Sequence, residues 1–565
     1  MVVTGTSPAG RSRFETVVGT VAVLVAIVAA WRVAAPSIRP DEWGYLLNGQ
    51  VMLGRHEPLL PFARYYGPVY GLVTAGGALA TGSVHGAFRV ALFVNVATIV
   101  TTAWAVSRLA SRWGADRMLS VLCGLVVLVA PGSLASAMYS WAEPMVRLLV
   151  VAVVLLATVA ESDRDDRAVV WLVVLSGTAP MLHGRLVAVT VCTLLILVLW
   201  SVTGRLGRRQ FTLAASTLLA LYAGGRMFAF VLRRWLYRNR MTQESRLAGL
   251  LTDPSHVSDL VREAAGQGWY LLASTLGLAL VGFVVCAVVA RRVFSAARVP
   301  GDGARLYAVA LTVVILFLGA LQLVEASRGD QFVYGRYVET VAPVLVVSAV
   351  VALAERNRGV VRWWIASGVI VVLVPLVMTV LLRQDIVRQW VHLNGPLRSP
   401  NIPALDGVQS LIGTGGLIPF ALAFGVLCLS ALLVHRWGIT ALMRYLSVLF
   451  LASSAWTALH TMQVRAQPWK GLGSTYALVG RSRDTVVGYD DRTPADKRYY
   501  VLRYDLHPLQ LTWMPVSRPG SVVPAAVSCV YGYPDGRPTG GEWIVVGEEP
   551  LIDRVLWRRA GASHC

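Results

Sequence analysis

Residues 17–45 read VVGTVAVLVAIVAAWRVAAPSIRPDEWGY, an apolar run that is soon followed by two adjacent carboxylates, Asp41 and Glu42. An apolar run of about 17–22 residues is long enough to cross the roughly 30 Å of bilayer hydrocarbon as a helix. Arg11 and Arg13 precede the run, as in a signal peptide, but no convincing small-residue cleavage site follows. We therefore expect an uncleaved first span, with a polar loop at the membrane surface beyond it.

Similar apolar runs recur along the chain. The 565 residues are 56% hydrophobic and only 15% charged, whereas about a quarter of the residues in a soluble domain are charged. This composition predicts an all-α polytopic membrane protein with about 13 transmembrane helices. The predicted spans are 14–35, 87–107, 118–135, 144–160, 168–182, 186–203, 211–231, 269–290, 305–324, 337–354, 363–382, 416–434 and 440–459. The pair at 168–203 could instead be one long helix.

The positive charge is distributed as the positive-inside rule requires. With the N-terminus in the cytoplasm, about 19 Arg lie in about 70 inside residues, against about 15 in about 130 outside residues. The net charge of +20 thus comes from short arginine clusters between the apolar runs. A nucleic-acid binder concentrates its cations on one face, so we expect no nucleic-acid partner. The first outside loop contains Gly67 to Ala80, an apolar stretch that we expect to lie in the membrane interface as a helix.

The polar tail is predicted to form a second domain on the outside. We divide the chain into a transmembrane domain, 1–459, and a small C-terminal α/β domain, 460–565. Cys529 and Cys565 would both face an oxidising space, so a disulfide between them is expected. Strands are predicted at Thr485 to Tyr489 and Trp543 to Val546, and helices at Pro494 to Leu502 and Pro550 to Trp557.

The Asp41-Glu42 pair is the most distinctive chemical feature. Two adjacent carboxylates at a membrane surface could bind a divalent cation such as Mg²⁺, Mn²⁺ or Ca²⁺, or one of them could act as a general base. The alternative is structural, since Asp after Pro40 starts helices well.

The order of these features resembles the GT-C class of membrane glycosyltransferases, which take a sugar from a polyprenyl-phosphate carrier. The class includes protein mannosyltransferases, aminoarabinose transferases and arabinosyltransferases. The resemblance rests on one span followed by Asp41-Glu42, on an aromatic run before Pro68, on Glu143 in the next outside loop, and on Arg336-Tyr337 opening a late span. Many members have two prolines where this chain has Pro68 alone.

The resemblance implies a role for each of these residues. The implied catalytic residues are Asp41, Glu42 and Glu143, with Asp41 as the base. The phosphate of such a donor is negative and needs arginine partners, and either of two outside sets could hold it, Arg328 with Arg336 or His183 with Arg185. The implied substrate contacts are Tyr65, Tyr66 and Tyr337. Any cation would be held by Asp41 and Glu42, and the class includes members that need no metal. The alternatives are snorkelling for each arginine, a helix N-terminus for Glu143, and a polar turn for His183.

We therefore expect an inverting glycosyltransferase of a bacterial plasma membrane, acting on the extracytoplasmic face. Its acceptor would be a glycan, lipid or protein of the cell envelope. One alternative is a transporter or flippase of lipid-linked sugars, which is disfavoured because few charges lie deep in the spans and no repeat is visible. A second alternative is a non-catalytic protein of envelope assembly.

Overall fold

The computed structural model describes most of the chain. The described residues are 8–37, 40–54, 66–236, 250, 254–295, 299–324, 333–355, 358–381, 401–412, 417–466, 486–490, 492, 510–516, 521–549, 554–563 and 565.

Helices dominate the described part of the chain as far as residue 466. They are α1 (Pro8–Arg32), α2 (Pro40–Met52), α3 (Pro68–Thr81), α4 (Val84–Arg112), α5 (Arg117–Val129), α6 (Pro131–Ser136), α7 (Glu143–Ser162), α8 (Asp166–Leu182), α9 (Val187–Val202), α10 (Arg208–Leu236), α11 (Val257–Ser274), α12 (Leu278–Ala290), α13 (Asp302–Leu323), α14 (Gly335–Val338), α15 (Ala342–Ala354), α16 (Arg358–Leu381), α17 (Pro403–Ile412), α18 (Leu417–His435) and α19 (Ile439–Ala466). Short 3₁₀ turns cover Gly184–Leu186, Pro254–His256 and Arg291–Phe294.

The long apolar helices make the chain a multi-pass membrane protein. Among the described residues, nine helices are long and apolar enough to cross a bilayer, or ten if the bent pair α11–α12 counts as one span. The predicted all-helical membrane fold is confirmed, but the count of 13 is not. Two of the predicted spans fall on α5 and α15, which have 13 residues each. Such a helix is about 20 Å long, shorter than the hydrocarbon layer.

The predicted span at 269–290 is wrong as a continuous helix. The chain turns by 107° between α11 and α12. At the turn, Leu276 and Gly277 both have positive φ, of 49° and 83°. Hydropathy does not reveal the bend, because both halves are apolar.

The region 168–203 consists of two helices. The side chain of His183 accepts a hydrogen bond from the backbone of Arg185 at the break. The helices then fold back on each other, since Thr190 Oγ1 donates to the Ser176 carbonyl at 2.7 Å and the Thr193 and Ser176 hydroxyls lie 2.8 Å apart. The region 168–203 is therefore a hairpin of two helices, α8 and α9, and not one long helix.

The predicted inside loops meet at one end of the bundle. Glu161, near the end of α7, accepts hydrogen bonds from Gly303 N and Ala304 N at 3.3 and 2.9 Å and so caps α13. Arg205 donates to the Ala160 carbonyl at 2.9 Å. At the other end, α2 and α14 meet through Asp41 and Arg336, which are both predicted to lie outside.

A five-stranded mixed sheet is described in the tail. Its strands are β1 (Val486–Asp490), β2 (Gln510–Met514), β3 (Val527–Gly532), β4 (Trp543–Glu549) and β5 (Arg554–Arg559). The order is β2-β1-β3-β5-β4, with β1 parallel to β2 and β3, and β5 antiparallel to β3 and β4. A disulfide joins Cys529 in β3 to Cys565.

Both predicted strands of the tail are confirmed as β1 and β4. The predicted helix from Pro550 to Trp557 is wrong, because Arg554–Arg559 is strand β5. Val555, Leu556 and Trp557 suit a pleated, half-buried surface, and pairing with β3 and β4 decides their conformation. The predicted helix from Pro494 to Leu502 lies outside the described residues.

Candidate active site

Glu42 connects two segments of the chain that are far apart in sequence. It is fully buried near the start of α2. Its carboxylate accepts hydrogen bonds from Ser37 N at 2.6 Å and from Ser140 N at 2.8 Å, and the Ser140 hydroxyl adds a third at 3.3 Å. Glu42 therefore fixes the start of α2 against the loop that precedes α7.

Asp41 faces in a different direction and remains partly exposed. The Tyr66 hydroxyl donates to its Oδ1 at 2.8 Å. Its Oδ2 pairs with Nη1 of Arg336, which lies 295 positions later in the chain. About a third of the Asp41 side chain, 34%, is open to solvent. This makes Asp41 the accessible carboxylate of the site.

Arg336 bridges two carboxylates. Its Nε donates to Glu143 Oε1 at 2.5 Å, while its Nη1 pairs with Asp41. The guanidinium carbon lies 4.2 Å from the centre of the Trp141 ring, and the side chain is only 7% exposed. Burial alone would lower the pKa of Arg336, but Glu143 and Asp41 raise it well above its usual value. Arg336 is thus a permanent cation between two acids.

Arg185 lies on the other side of Glu143. Its Nη2 is 3.8 Å from Glu143 Oε1, which is too far for a hydrogen bond. The guanidinium carbon lies 4.2 Å from the Tyr337 ring centre. The side chain is 3% exposed, and neither Nη1 nor Nη2 has a hydrogen-bond partner among the described residues. Nη1 and Nη2 of Arg185 can therefore donate hydrogen bonds to an anion.

His183 is a neutral neighbour of this cation. Its Nδ1 accepts a hydrogen bond from Arg185 N at 3.4 Å. Burial, and then the charges of Arg185 and Arg336, hold the pKa of His183 well below its usual value. At neutral pH the ring therefore contributes hydrogen bonding and no charge.

Tyr66, one of the predicted substrate tyrosines, contacts Asp41. Asn48 Nδ2 donates to its carbonyl at 2.8 Å, and the Tyr45 ring lies 4.9 Å away. Burial, and then the Asp41 charge, raise the pKa of Tyr66 well above its usual value. The hydroxyl thus keeps its proton and serves as a hydrogen-bond donor.

Asn95 and Tyr139, neither of them a predicted site residue, hold Trp141 in place. Asn95, buried in α4, donates to the carbonyls of Tyr139 and Trp141 at 2.7 and 3.2 Å. The Tyr139 and Trp141 rings are stacked, with centroids 4.3 Å apart. A lone Asn in an apolar helix was the only available signal, since a buried amide must find partners.

The structure brings together most of the predicted site residues. Asp41, Glu143, Arg185 and Arg336 share one cluster, with His183, Tyr66 and Tyr337 in contact with its members. Glu42 adjoins the cluster through Ser37 and Ser140. Tyr65 and Arg328 lie outside the described residues.

The predicted cation ligands do not form a cage as they are placed. Both oxygens of Asp41 and both oxygens of Glu42 accept hydrogen bonds from protein groups. In the described ranges, no group of three His, Cys, Asp or Glu side chains could share a metal ion. We therefore derive no chemical step through a cation.

A second polar cluster lies behind Arg336. Glu339 accepts hydrogen bonds from Arg147 Nη2 at 3.1 Å and from the Tyr270 hydroxyl at 2.5 Å. Arg147 and Glu339 also border a cavity of about 50 Å³, whose other lining is mainly apolar and includes Val126, Pro343 and Phe450. Arg147 lies within the predicted span 144–160, so its position in the sequence gives no signal of this cluster.

The fold is similar to that of one membrane protein that has been solved in two states. The crystal structure of ArnT from Cupriavidus metallidurans bound to undecaprenyl phosphate aligns with a TM-score of 0.56 and 14% identity, covering 98% of this chain and 99% of that one. The apo structure of the same ArnT aligns with a TM-score of 0.55 and 16% identity, covering 97% and 98%. No family model and no curated protein matches the sequence. The likeness confirms the predicted fold, a multi-pass helical membrane protein with a small C-terminal sheet, over nearly the whole chain.

Proposed function

We propose that this protein is a glycosyltransferase that moves one sugar from a polyprenyl-phosphate carrier to a hydroxyl of a cell-envelope glycan, lipid or protein. The observation that carries the proposal is the cluster of Asp41, Arg336, Glu143 and Arg185. It combines an accessible carboxylate with two buried guanidinium groups, and Nη1 and Nη2 of Arg185 have no hydrogen-bond partner among the described residues. A base next to an anion site is what transfer from a phosphate-linked sugar needs.

The likeness to ArnT adds support from a bound ligand. That protein was crystallised with undecaprenyl phosphate, a polyprenyl phosphate. We infer that the donor of this chain carries the same kind of phosphate. Arg185 would bind it through its Nη1 and Nη2, and Arg336 would bind it on the side of Asp41.

Asp41 acts as the general base in this proposal. An acceptor hydroxyl is too weak a nucleophile to attack unaided, so Asp41 removes its proton as the new bond forms. Arg336 and Tyr66 hold the carboxylate in place in the structure. A donor phosphate that competes for Arg336 would leave one oxygen of Asp41 available to the acceptor.

The reaction is a single displacement at the anomeric carbon. The acceptor oxygen forms a bond to that carbon while the bond from the carbon to the phosphate oxygen breaks, and the electron pair leaves with the phosphate. The acceptor proton ends on Asp41 and is later released to water. The products are the glycosylated acceptor, with inverted configuration, and the polyprenyl phosphate. Arg185 and Arg336 stabilise the charge that develops on the leaving phosphate.

Glu42 and Glu143 have supporting parts. Glu42 fixes the first turn of α2, which presents Asp41. Glu143 orients Arg336 and keeps Arg185 nearby, and its Oε2 has no hydrogen-bond partner in the described part of the chain. That oxygen is available to a hydroxyl of the transferred sugar. We propose an extracytoplasmic site in a bacterial plasma membrane, in keeping with the positive-inside pattern.

The test is a transfer assay with purified protein in nanodiscs. A panel of radiolabelled polyprenyl-phosphate sugars is supplied with envelope extract, with and without EDTA. We expect transfer by the wild type and a loss of about 10²- to 10⁴-fold in Asp41→Asn, because the base is removed. Asp163→Asn is the matched control, since Asp163 pairs with Arg112 at the other end of α7. Activity that survives Asp41→Asn would contradict the assignment of the base, and no transfer from any donor by folded protein would contradict the function.

A further inference from the structure

Two buried ion pairs join the start of α7 to α14 and its C-terminal cap. Glu143 and Arg147 lie one turn apart at the start of α7, while Arg336 and Glu339 lie one turn apart at α14 and its C-terminal cap. Glu143 pairs with Arg336 at 2.5 Å, and Arg147 pairs with Glu339 at 3.1 Å. The charges alternate, so each element carries one acid and one arginine.

The first pair belongs to the candidate active site, whereas the hydrogen bonds of the second pair go to other residues of the described chain. The Ser133 hydroxyl accepts from Arg147 Nη1 at 2.8 Å, and Tyr270 donates to the second oxygen of Glu339. The side chains of Arg147 and Glu339 are only 6% and 10% exposed. A buried pair of this kind is weak evidence for stability alone, because its desolvation offsets much of the attraction.

The element that carries Arg336 is very short. Helix α14 has four residues, and its first turn is held by the Asn401 carbonyl, which accepts from Gly335 N and Arg336 N at 2.9 and 3.0 Å. Four residues make barely one turn, so hydrogen bonds within the helix cannot fix its rotation. Side-chain contacts of this segment must therefore contribute, and Glu339 makes two, to Arg147 and Tyr270.

Glu339 fits its surroundings closely. A Cβ placed on Gly132 would lie 1.9 Å from Glu339 Oε2, and a Cβ on Gly335 would lie 1.9 Å from the Tyr270 ring. Both glycines therefore allow α6 and α11 to approach the segment 335–339. Arg147 and Tyr270 thus hold Glu339 at one defined position.

We propose that the Arg147–Glu339 pair is a positioning element of the transfer reaction, which fixes the rotation of α14 and so holds Arg336 between Asp41 and Glu143. This inference rests on the proposed function, since Arg336 is the group that would meet the donor phosphate. Glu339 and Arg147 would act only through Arg336 and would not touch the substrate.

The variants must keep the protein folded. Removing one partner of a buried pair leaves an uncompensated charge, so alanine is avoided. Glu339→Gln keeps the shape and an acceptor for Tyr270, but it loses the charge that holds Arg147. Glu15→Gln is the matched control, because Glu15 is also a buried acid that pairs with an arginine, Arg444, at 2.9 Å. Glu15 lies about 25 Å along α1 from the end that leads to α2.

The measurement is a double-mutant cycle on ligand binding and on transfer. Undecaprenyl phosphate is the binding probe, titrated into protein in nanodiscs. We expect Glu339→Gln to weaken binding about tenfold and to slow transfer by about 10- to 100-fold, because a small displacement of a positioned group is costly. In an Arg336→Gln background, which keeps a polar side chain of similar length, the same change should alter binding by less than about twofold.

Each outcome separates the inference from the function on which it rests. Binding and transfer that fall with Glu339→Gln but not with Glu15→Gln, and that lose this sensitivity without Arg336, support the positioning role. An equal effect of Glu339→Gln in both backgrounds, or none in either, overturns that role and leaves the function intact. Absence of undecaprenyl phosphate binding by folded wild-type protein contradicts the proposed function itself.

Discussion

At the scale of single residues, the adjacent Asp41 and Glu42 have different partners, while Asp41 and Arg336, far apart in sequence, are in contact. Asp41 and Glu42 are adjacent, yet successive side chains on a helix point about 100° apart. Asp41 therefore faces Arg336 and Tyr66, while Glu42 accepts hydrogen bonds from the backbone of Ser37 and Ser140. The acid pair that suggested a joint cation site thus divides between two surroundings.

His183 leads to a prediction about pH. Its pKa is lower in the folded protein than in the unfolded chain, because burial and the nearby Arg185 and Arg336 disfavour its charged form. As pH falls below the unfolded value of about 6.5, the unfolded chain takes up a proton that the folded protein resists, so the free energy of unfolding decreases. The stabilisation is complete above that pH and is lost progressively below it.

The measurement compares wild type with His183→Gln, whose side chain does not titrate. We expect the thermal unfolding midpoint of the wild type to fall more between pH 7.5 and pH 5.5 than that of His183→Gln. Equal decreases in the two proteins would mean that other groups account for the acid sensitivity.

At the scale of elements, the start of α3 is packed directly against the end of α8. A Cβ placed on Gly67 would lie 2.4 Å from the carbonyl oxygens of Met181 and Leu182. Gly67 also follows Tyr66, which contacts Asp41. This close approach brings the segment of Tyr66 beside the segment of His183.

Gly67→Ala should therefore destabilise the protein. We expect a decrease of about 1–3 kcal/mol in the free energy of unfolding, because the added methyl group would overlap the backbone of α8. We also expect slower transfer, because Tyr66 would be displaced. Gly76→Ala within α3 is the control, since no atom of the described residues outside its own helix lies within 4 Å of its Cβ position, and we expect it to be neutral or stabilising by about 0.5–1 kcal/mol. Thermal unfolding and the transfer assay test both, and equal stability of the two variants would contradict the packing argument.

The sequence predicted most elements but few of the contacts between them. Hydropathy locates a helix for each predicted span, because the length of an apolar run is a local property. The bend at Leu276 and Gly277 and the strand at Arg554–Arg559 depend on tertiary packing, which local pattern does not encode. Likewise, motif order suggested that Asp41 and Arg336 lie on one side, but only the fold shows that they touch.

At the scale of the whole molecule, the helices and the sheet are stabilised by different means. The helices use lipid as part of their solvent, so outward-facing apolar residues such as Trp31, Leu195 and Val426 are expected. The sheet of the tail is small and carries a disulfide between Cys529 and Cys565, which are 36 positions apart. A cross-link of that span limits the freedom of the unfolded tail.

Removal of this disulfide is expected to weaken the tail selectively. In the chain-entropy account, a loop of this length contributes about 3–4 kcal/mol to stability. The Cys529→Ser/Cys565→Ser variant should therefore be cut faster by protease within residues 486–565, with the helical part cut at the wild-type rate. Reduction of the wild type should reproduce the effect, and an unchanged cleavage rate would mean that the sheet is stable without the cross-link.

The shared guanidinium of Arg336 has a consequence for the energetics of the proposed reaction. Asp41 and Glu143 together balance Arg185 and Arg336, so these four side chains carry no net charge. A donor phosphodiester adds one negative charge, and transfer does not change that total: Asp41 becomes neutral as the phosphate gains the charge that Asp41 has lost. The charge thus moves from one side of a single cation to the other. Transfer therefore shifts a charge within the cluster and adds no net charge to it. The forward and reverse transfers then have similar electrostatic surroundings. The relative stability of the two glycosidic bonds would set the direction of the reaction.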